Sequence, residues 1–154
     1  MIKLSDDKLT KLPRFLSPDP KTIAFGTIQK TFVSLDTEIK SLSIPVSADY
    51  FSVAGGIEDH ATNAPLIIHR LCKSIRNLEY IFGMELMHAA QAVELRNERI
   101  GAIQLGRQTE LEYLAFRRTV PFLQEDRALS DDIQRAFEFV HLMQIDDVPE
   151  EVNP

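Results

Sequence analysis

The 154-residue sequence is short of several things, and each shortage excludes a class of protein. It contains a single cysteine, Cys72, and no tryptophan. With one thiol no internal disulfide can form, which suits a reducing, cytoplasmic setting. No apolar run approaches the roughly eighteen residues a membrane-spanning helix needs. The first residues, MIKLSDDKLTKL, have none of the apolar core of a secretory leader. Lysine and arginine are not concentrated into any block, and the net charge is −6, so neither nucleic acid nor an anionic membrane is an expected partner. A glycine-rich phosphate loop, a G-x-S-x-G elbow and an H-E-x-x-H pair are all missing. What remains, at 44% hydrophobic and 26% charged residues, is the composition of an ordinary globular domain.

Helical periodicity dominates what is present. Residues 1–21 read as an extended or turning lead-in, punctuated by Pro13, Pro18 and Pro20. From Thr22 to about Ser41, Ile23, Phe25, Ile28, Phe32, Leu35 and Ile39 recur at helical spacing. Residues 43–57 break that pattern with a proline, small residues and the Gly55-Gly56 pair, which predicts a tight turn aiming Glu58. A helix then begins between His60 and Pro65, with Thr62 or Asn63 as N-cap, and runs to about Arg96. It spans about 55 Å at 1.5 Å per residue, more than a chain of this size needs to enclose its own core. Ile68, Leu71, Ile75, Leu78 and Phe82 form a seam continued by Leu86, Ala89 and Val93, and Ala89, Ala90 and Ala92 would admit a neighbouring backbone. Two shorter helices follow, at 108–120 with Leu111, Leu114 and Ala115 on its apolar face, and at 130–144 with Ser130 as N-cap and Ile133, Ala136, Phe137 and Val140 inward. The expected fold is all-α, an elongated bundle of four unequal helices with one very long central helix, completed by oligomerisation. Its domain is residues 22–145, followed by an acidic tail at 146–154.

Glu58, Asp59 and His60 are the strongest site candidates by residue type, since carboxylates and an imidazole at a helix start could do acid–base work or hold a cation. The plainer alternative is that the acids favour the helix dipole and His60 lies on the surface. His69 and Cys72, spaced i,i+3, could touch one metal ion, but two ligands do not make a zinc site, and no metal is expected. His88 and His141 sit beside apolar positions and read as partly buried helix residues. Phe82, Met84 and Met87 read as packing.

Taken together, the motifs resemble the C-terminal part of the aromatic amino acid ammonia-lyases, most closely the histidine ammonia-lyase branch. Glu58-Asp59-His60 matches that family's E-D-H, and Gly83-Met84-Glu85-Leu86-Met87-His88-Ala89-Ala90-Gln91-Ala92-Val93-Glu94-Leu95-Arg96 matches the end of its long helix. Val120-Pro121-Phe122-Leu123, Asp126-Arg127 and Asp132-Ile133 match its downstream V-P-F-L-x-x-D-R and D-I, and Leu12-Pro13-Arg14-Phe15-Leu16 with Ile28-Gln29 match its upstream approach. The resemblance runs from about residue 11 to residue 142. It implies non-oxidative deamination, histidine to urocanate, with 4-methylideneimidazol-5-one as the electrophile, formed from an internal Ala-Ser-Gly. It also implies active sites shared in a homotetramer built round the long helices, Glu58 facing the substrate, and Arg127 tying the last turns together.

These 154 residues contain no Ala-Ser-Gly, nor the family's upstream segments with its catalytic tyrosine and carboxylate-binding arginine. Phe51 to Ile57 replaces the family's S-I-P-T-S-x-x-Q, and Ala61-Thr62-Asn63-Ala64 its V-S-M-G. No residue here is therefore expected to bind the cofactor, and the chain alone is expected to be inactive. Three accounts follow: one half of a split lyase whose electrophile sits on a separate chain, a catalytically silent helical oligomer, or a module that joins and regulates a full-length lyase.

Overall fold

The structure, a computed structural model, describes residues 2–46, 52–58 and 62–146, with the side chains of all of these except 100 and 144–146. The described residues are almost entirely helical: α1 (Asp7–Thr10), α2 (Ile28–Leu42), α3 (Ala64–Ile100), α4 (Arg107–Thr119) and α5 (Ser130–Asp146), with short 3-10 turns at Arg14–Leu16, Ala24–Gly26 and Ala54–Gly56. The all-α expectation holds, and the 37-residue α3 is the long helix. By Cα packing the chain divides into two compact units, Met1–Phe32 with Glu79–Pro154, and Val33–Leu78.

The larger unit holds the apolar core. Leu16, Phe25, Ile28, Met84, Met87, Phe116, Val120, Leu123 and Ala136 are all buried in it. The lead-in is not extended. Asp6 caps α1 by accepting from the Lys8 amide, and Leu12 and Leu16 are buried. The helix expected from Thr22 starts only at Ile28, because the Asp126 carboxylate takes the amides of Ile23 and Ala24 at 2.9 and 2.8 Å and Ala24 turns to φ 44°. In a helix begun at Thr22 those amides would lie in the first turn without a helical acceptor; the carboxylate satisfies them instead, while the left-handed Ala24 breaks the run of helical angles before Ile28. Helix α3 runs one turn past Arg96 and stops where Gly101 adopts φ 101°.

The two C-terminal helices differ from expectation in their details. On α4 the buried residue is Phe116, followed by Val120, while Leu111 and Leu114 are exposed and Ala115 is half-buried. On α5 Ala136, Phe137 and Val140 are buried as expected. Ser130 is the first helical residue rather than the cap, and the Leu129 carbonyl accepts from the Ile133 amide. The buried Asp132 accepts from Arg127 at 2.8 Å, and Arg127 also donates to the carbonyls of Pro121 and Phe122, so this arginine ties the last turns together.

The smaller unit is built differently. Its apolar side chains are at most half-buried, and Asn77 is its one buried residue among those described. Polar bonds hold it instead. Arg70 donates to the carbonyls of Ser41, Leu42 and Ile44 at 2.8, 3.0 and 3.1 Å, satisfying the carboxyl end of α2. Glu38 accepts from Asn77 at 2.8 Å and pairs with Lys73 at 2.5 Å, and these two bonds hold its carboxyl below the usual carboxylate range. Asn63 spends its side chain on the Val46 carbonyl, while the Thr62 hydroxyl accepts from the Ala64 amide at the start of α3.

Close helix contact in the larger unit depends on Gly83. A Cβ there would lie 2.8 Å from the Ala136 carbonyl carbon and 3.0 Å from the Phe137 nitrogen. Those atoms are backbone and cannot swing aside, so Gly83→Ala forces α3 and α5 apart. Overpacking of this sort costs about 1–3 kcal/mol or more, against a helix-propensity gain of about 1 kcal/mol. Urea unfolding should show Gly83→Ala less stable by about 2 kcal/mol. Gly106→Ala, whose Cβ would meet only Thr109 Oγ1 at 3.9 Å, should stay within about 0.5 kcal/mol.

His88 is not partly but fully buried, its ring tilted against that of Phe25 with centroids 4.7 Å apart. Its Nδ1 lies 2.8 Å from the Met84 carbonyl, which makes that nitrogen the donor and leaves Nε2 buried with no partner among the described residues. Burial pushes the imidazole down to about 4, against the opposing pull of the Met84 bond. The unfolded chain therefore takes up a proton near pH 6.5 that the fold refuses until about pH 4. This contribution is neutral above pH 6.5 and destabilises progressively as pH falls to about 4, by about 3 kcal/mol in all. Urea titrations of wild type and His88→Leu should diverge by that amount in the variant's favour between pH 7 and pH 4. A constant difference would show instead that the ring is protonated within the fold.

Candidate functional site

The turn carrying Glu58 forms as its sequence predicts. Val53 and Glu58 pair antiparallel, with the Val53 amide donating to the Glu58 carbonyl at 3.0 Å and the Glu58 amide returning to the Val53 carbonyl at 3.3 Å. Gly55 and Gly56 close the loop at φ 69° and 88°, in the left-handed region that favours glycine. Ala54 also sits there, at φ 53°, which costs a residue with a Cβ. A Cβ at either glycine would meet nothing within 4 Å, so conformation rather than space is what demands glycine here. The Ser52 hydroxyl adds a bond to the Glu58 carbonyl.

This hairpin presents Glu58 with its side chain exposed and with no partner for its carboxylate among the described residues. An exposed carboxylate whose own residue is held by a backbone pair is suited to accept hydrogen bonds from a cationic or N–H-bearing ligand. Asp59 and His60, expected to stand beside it, lie outside the described residues.

The remaining candidates do not converge on it. His69 and Cys72 are both exposed on α3, and among the described residues no group of three His, Cys, Asp or Glu side chains could hold a metal ion. His88 is enclosed in the core. His141 pairs through Nδ1 with the buried Glu79 at 3.0 Å and stacks on Phe137, a contact between α3 and α5. Phe82 is exposed while Met84 and Met87 are buried, so these three share no box. No helix among the described residues is long and apolar enough to cross a membrane.

One residue whose importance the sequence did not announce is Gln91, fully buried on α3. Its amide donates to the carbonyls of Leu16 and Leu123 at 3.3 and 3.0 Å and accepts from the Leu123 amide at 3.1 Å. A lone glutamine between alanines on an otherwise apolar helix face was the available signal. On the same helix, Leu86, Ala89 and Val93 line an apolar cleft of about 160 Å³ with Tyr113, Phe116, Phe139 and Met143, and the Tyr113 hydroxyl donates to Glu94, which pairs with Arg117 at 2.7 Å.

Comparison with known proteins places this architecture. The family model for aromatic amino acid lyase matches residues 1–118. The chain is 32% identical over 133 residues to a histidine ammonia-lyase of Chloroflexus aurantiacus, covering 84% of this chain and 25% of that protein. It is 35% identical over 124 residues to the histidine ammonia-lyase of Natranaerobius thermophilus, covering 80% and 24%. Among solved structures, the ergothioneine-degrading enzyme ergothionase of Treponema denticola superposes with a TM-score of 0.85 at 47% identity, covering 96% of this chain and 29% of that one. Histidine ammonia-lyase of Trypanosoma cruzi superposes with a TM-score of 0.86 at 26% identity, covering 97% and 30%. The chain thus spans about a quarter of the length of the curated relatives it matches. With the long helix, its buried glutamine and the exposed glutamate turn all in place, the chain belongs to the aromatic amino acid lyase family.

Proposed function

We propose that these residues supply the helical C-terminal part of a lyase that eliminates an amine from an imidazole-bearing amino acid, with Glu58 contacting the substrate. The observation that carries this reading is the 53–58 hairpin, which holds Glu58 by its backbone and leaves its carboxylate exposed with no partner among the described residues, within a chain of this family. A carboxylate there would accept from a ring N–H or pair with a cationic nitrogen. Histidine is the substrate implied by the histidine ammonia-lyase relatives. The 47% identity to ergothionase, against 26% to a histidine ammonia-lyase of equal structural similarity, favours ergothioneine as the alternative.

The electrophile the family implies is made from an Ala-Ser-Gly that these 154 residues do not contain, so none of them can form it. A carboxylate by itself cannot turn an amino group into a leaving group. The rest of the site must come from lyase sequence outside these 154 residues. The purified 154-residue polypeptide should therefore release no product from histidine or ergothioneine. Co-expressed with the preceding portion of a lyase, it should form an active complex in which Glu58→Ala lowers kcat/KM on the order of 10- to 100-fold, the size of a lost charge-assisted bond. Activity of the polypeptide alone would overturn the division of labour, and an unaffected Glu58→Ala complex would overturn the role of Glu58.

A non-catalytic helical oligomer is the second reading, and a specific observation favours its structural half. Ile68, Leu71, Ile75, Leu78 and Phe82, the seam foreseen on α3, are each between 40% and 59% exposed. Patches of this kind mark interfaces, and the smaller unit has no buried apolar side chain among those described to stabilise it by itself. We read the seam as the surface on which copies of this chain associate. Light scattering at micromolar concentration should give more than one copy per particle, and Leu71→Glu with Ile75→Glu should reduce it. A monomeric wild-type chain would refute the assembly.

A further inference from the structure

The geometry points to an oxyanion-binding cleft on the lead-in segment, with the guanidinium groups of Arg14 and Arg99 as its ligands. The cleft has a volume of about 420 Å³ and lies between the turns of residues 13–23 and the end of α3. Phe15, Ser17 and Thr22 line it together with the two arginines and three prolines, and no carboxylate side chain does. In a chain of net charge −6, two arginines facing one acid-free concavity are a local reversal of sign.

Both side chains are held but not used up. The Arg14 guanidinium lies 4.6 Å over the Phe15 ring, which fixes its plane and leaves its edges free. No acceptor among the described residues takes a hydrogen from it. Arg99 gives one hydrogen to the Lys11 carbonyl at a long 3.3 Å, and its other donors have no acceptor among the described residues. Of the acids near the rim, Asp19 is turned to the Lys21 amide at 2.8 Å and Asp126 to the amides of Ile23 and Ala24, while Glu98, next to Arg99 in sequence, is not in the lining. The Ser17 and Thr22 hydroxyls are bonded to each other and to the Asp19 carbonyl, so they firm the wall rather than compete for the arginines.

The wall is also costly to build. Phe15 and Leu16 stand at φ 57° and 54°, two successive residues with Cβ atoms in the left-handed region. Such conformations are strained for residues with a Cβ and collect where a site must be shaped in advance. Pro13, Pro18 and Pro20 fix further φ angles in the same rim. A preformed concavity with convergent fork-shaped donors matches a planar or tetrahedral oxyanion, a carboxylate or a phosphate, rather than an apolar or cationic ligand.

The test uses the 154-residue chain at low ionic strength, titrated separately with inorganic phosphate and with succinate. Saturable one-to-one binding of either by calorimetry, with the Nε–H resonances of Arg14 and Arg99 moving while that of the exposed Arg118 does not, is the expected result. Which anion binds more tightly separates a phosphate site from a carboxylate site. Arg14→Gln and Arg99→Gln should each weaken binding at least roughly tenfold, whereas Lys40→Gln, which removes a surface cation paired with Asp36, should not. Heat that never saturates, or arginine resonances that move no more than Arg118, would overturn the site. That NMR arm needs no variant, so it decides the matter even if a substitution disturbs folding, and it is independent of any role for Glu58.

Discussion

A single buried amide organises the larger unit. Gln91 sits at the point where α3 meets both the lead-in and the segment after α4, and its three hydrogen bonds reach residues 75 and 32 positions away. Neither Leu16 nor Leu123 could otherwise satisfy those backbone groups, because both are buried away from water. Each bond is worth only about 1 kcal/mol net, but leaving the groups unpaired costs about 1–3 kcal/mol apiece. The glutamine therefore works by specificity as much as by strength, since only one placement of the two segments satisfies it. Asp126 and Arg127 repeat the device on the surface, the first holding Ile23 and Ala24 and the second the turns around Pro121 and Phe122. The matching motifs of the sequence are, physically, the places where side chains stand in for backbone partners.

That explains which parts of the fold were legible beforehand. Helical periodicity located α3, α4 and α5 because burial there follows local spacing, and α5 has its expected Ala136, Phe137 and Val140 inside. The start of α2 was misread because the decisive partner of Ile23 and Ala24 is Asp126, about a hundred residues away. Local spacing carries no record of such a bond. The same holds for α4, where Leu111 and Leu114 have the right period but Phe116 has the neighbours. Gly83 was overlooked for a related reason. A glycine inside a helix looks like a weakness until the backbone of α5 is found against it.

The candidate site was legible in one respect and not in another. Two adjacent glycines before an acid predict a tight turn, and Gly55 and Gly56 provide it by backbone conformation alone, with no packing requirement. What surrounds the acid in space depends on residues brought from elsewhere, which no local pattern specifies. His88 shows the opposite failure. An imidazole in a helix suggested a half-exposed ring, whereas the Met84 carbonyl and the Phe25 face allow a neutral ring to be enclosed completely.

The contrast between the two units bears on why the long helix exists. Where α3 passes through the larger unit one face packs into a core, and in the smaller unit the same helix keeps Ile68, Leu71, Ile75 and Leu78 exposed and relies on Arg70, Glu38 and Asn77. Surface polar bonds of this kind contribute little to stability on their own. They do fix direction: Arg70 takes the carbonyls at the end of α2 and keeps that end beside α3. A sequence that conserved only its own stability would have no use for these four large apolar residues in water. Their exposure makes sense if the helix is shaped for contacts that one copy of these residues does not contain, and the Glu58 turn then sits on the part of the chain most dependent on them.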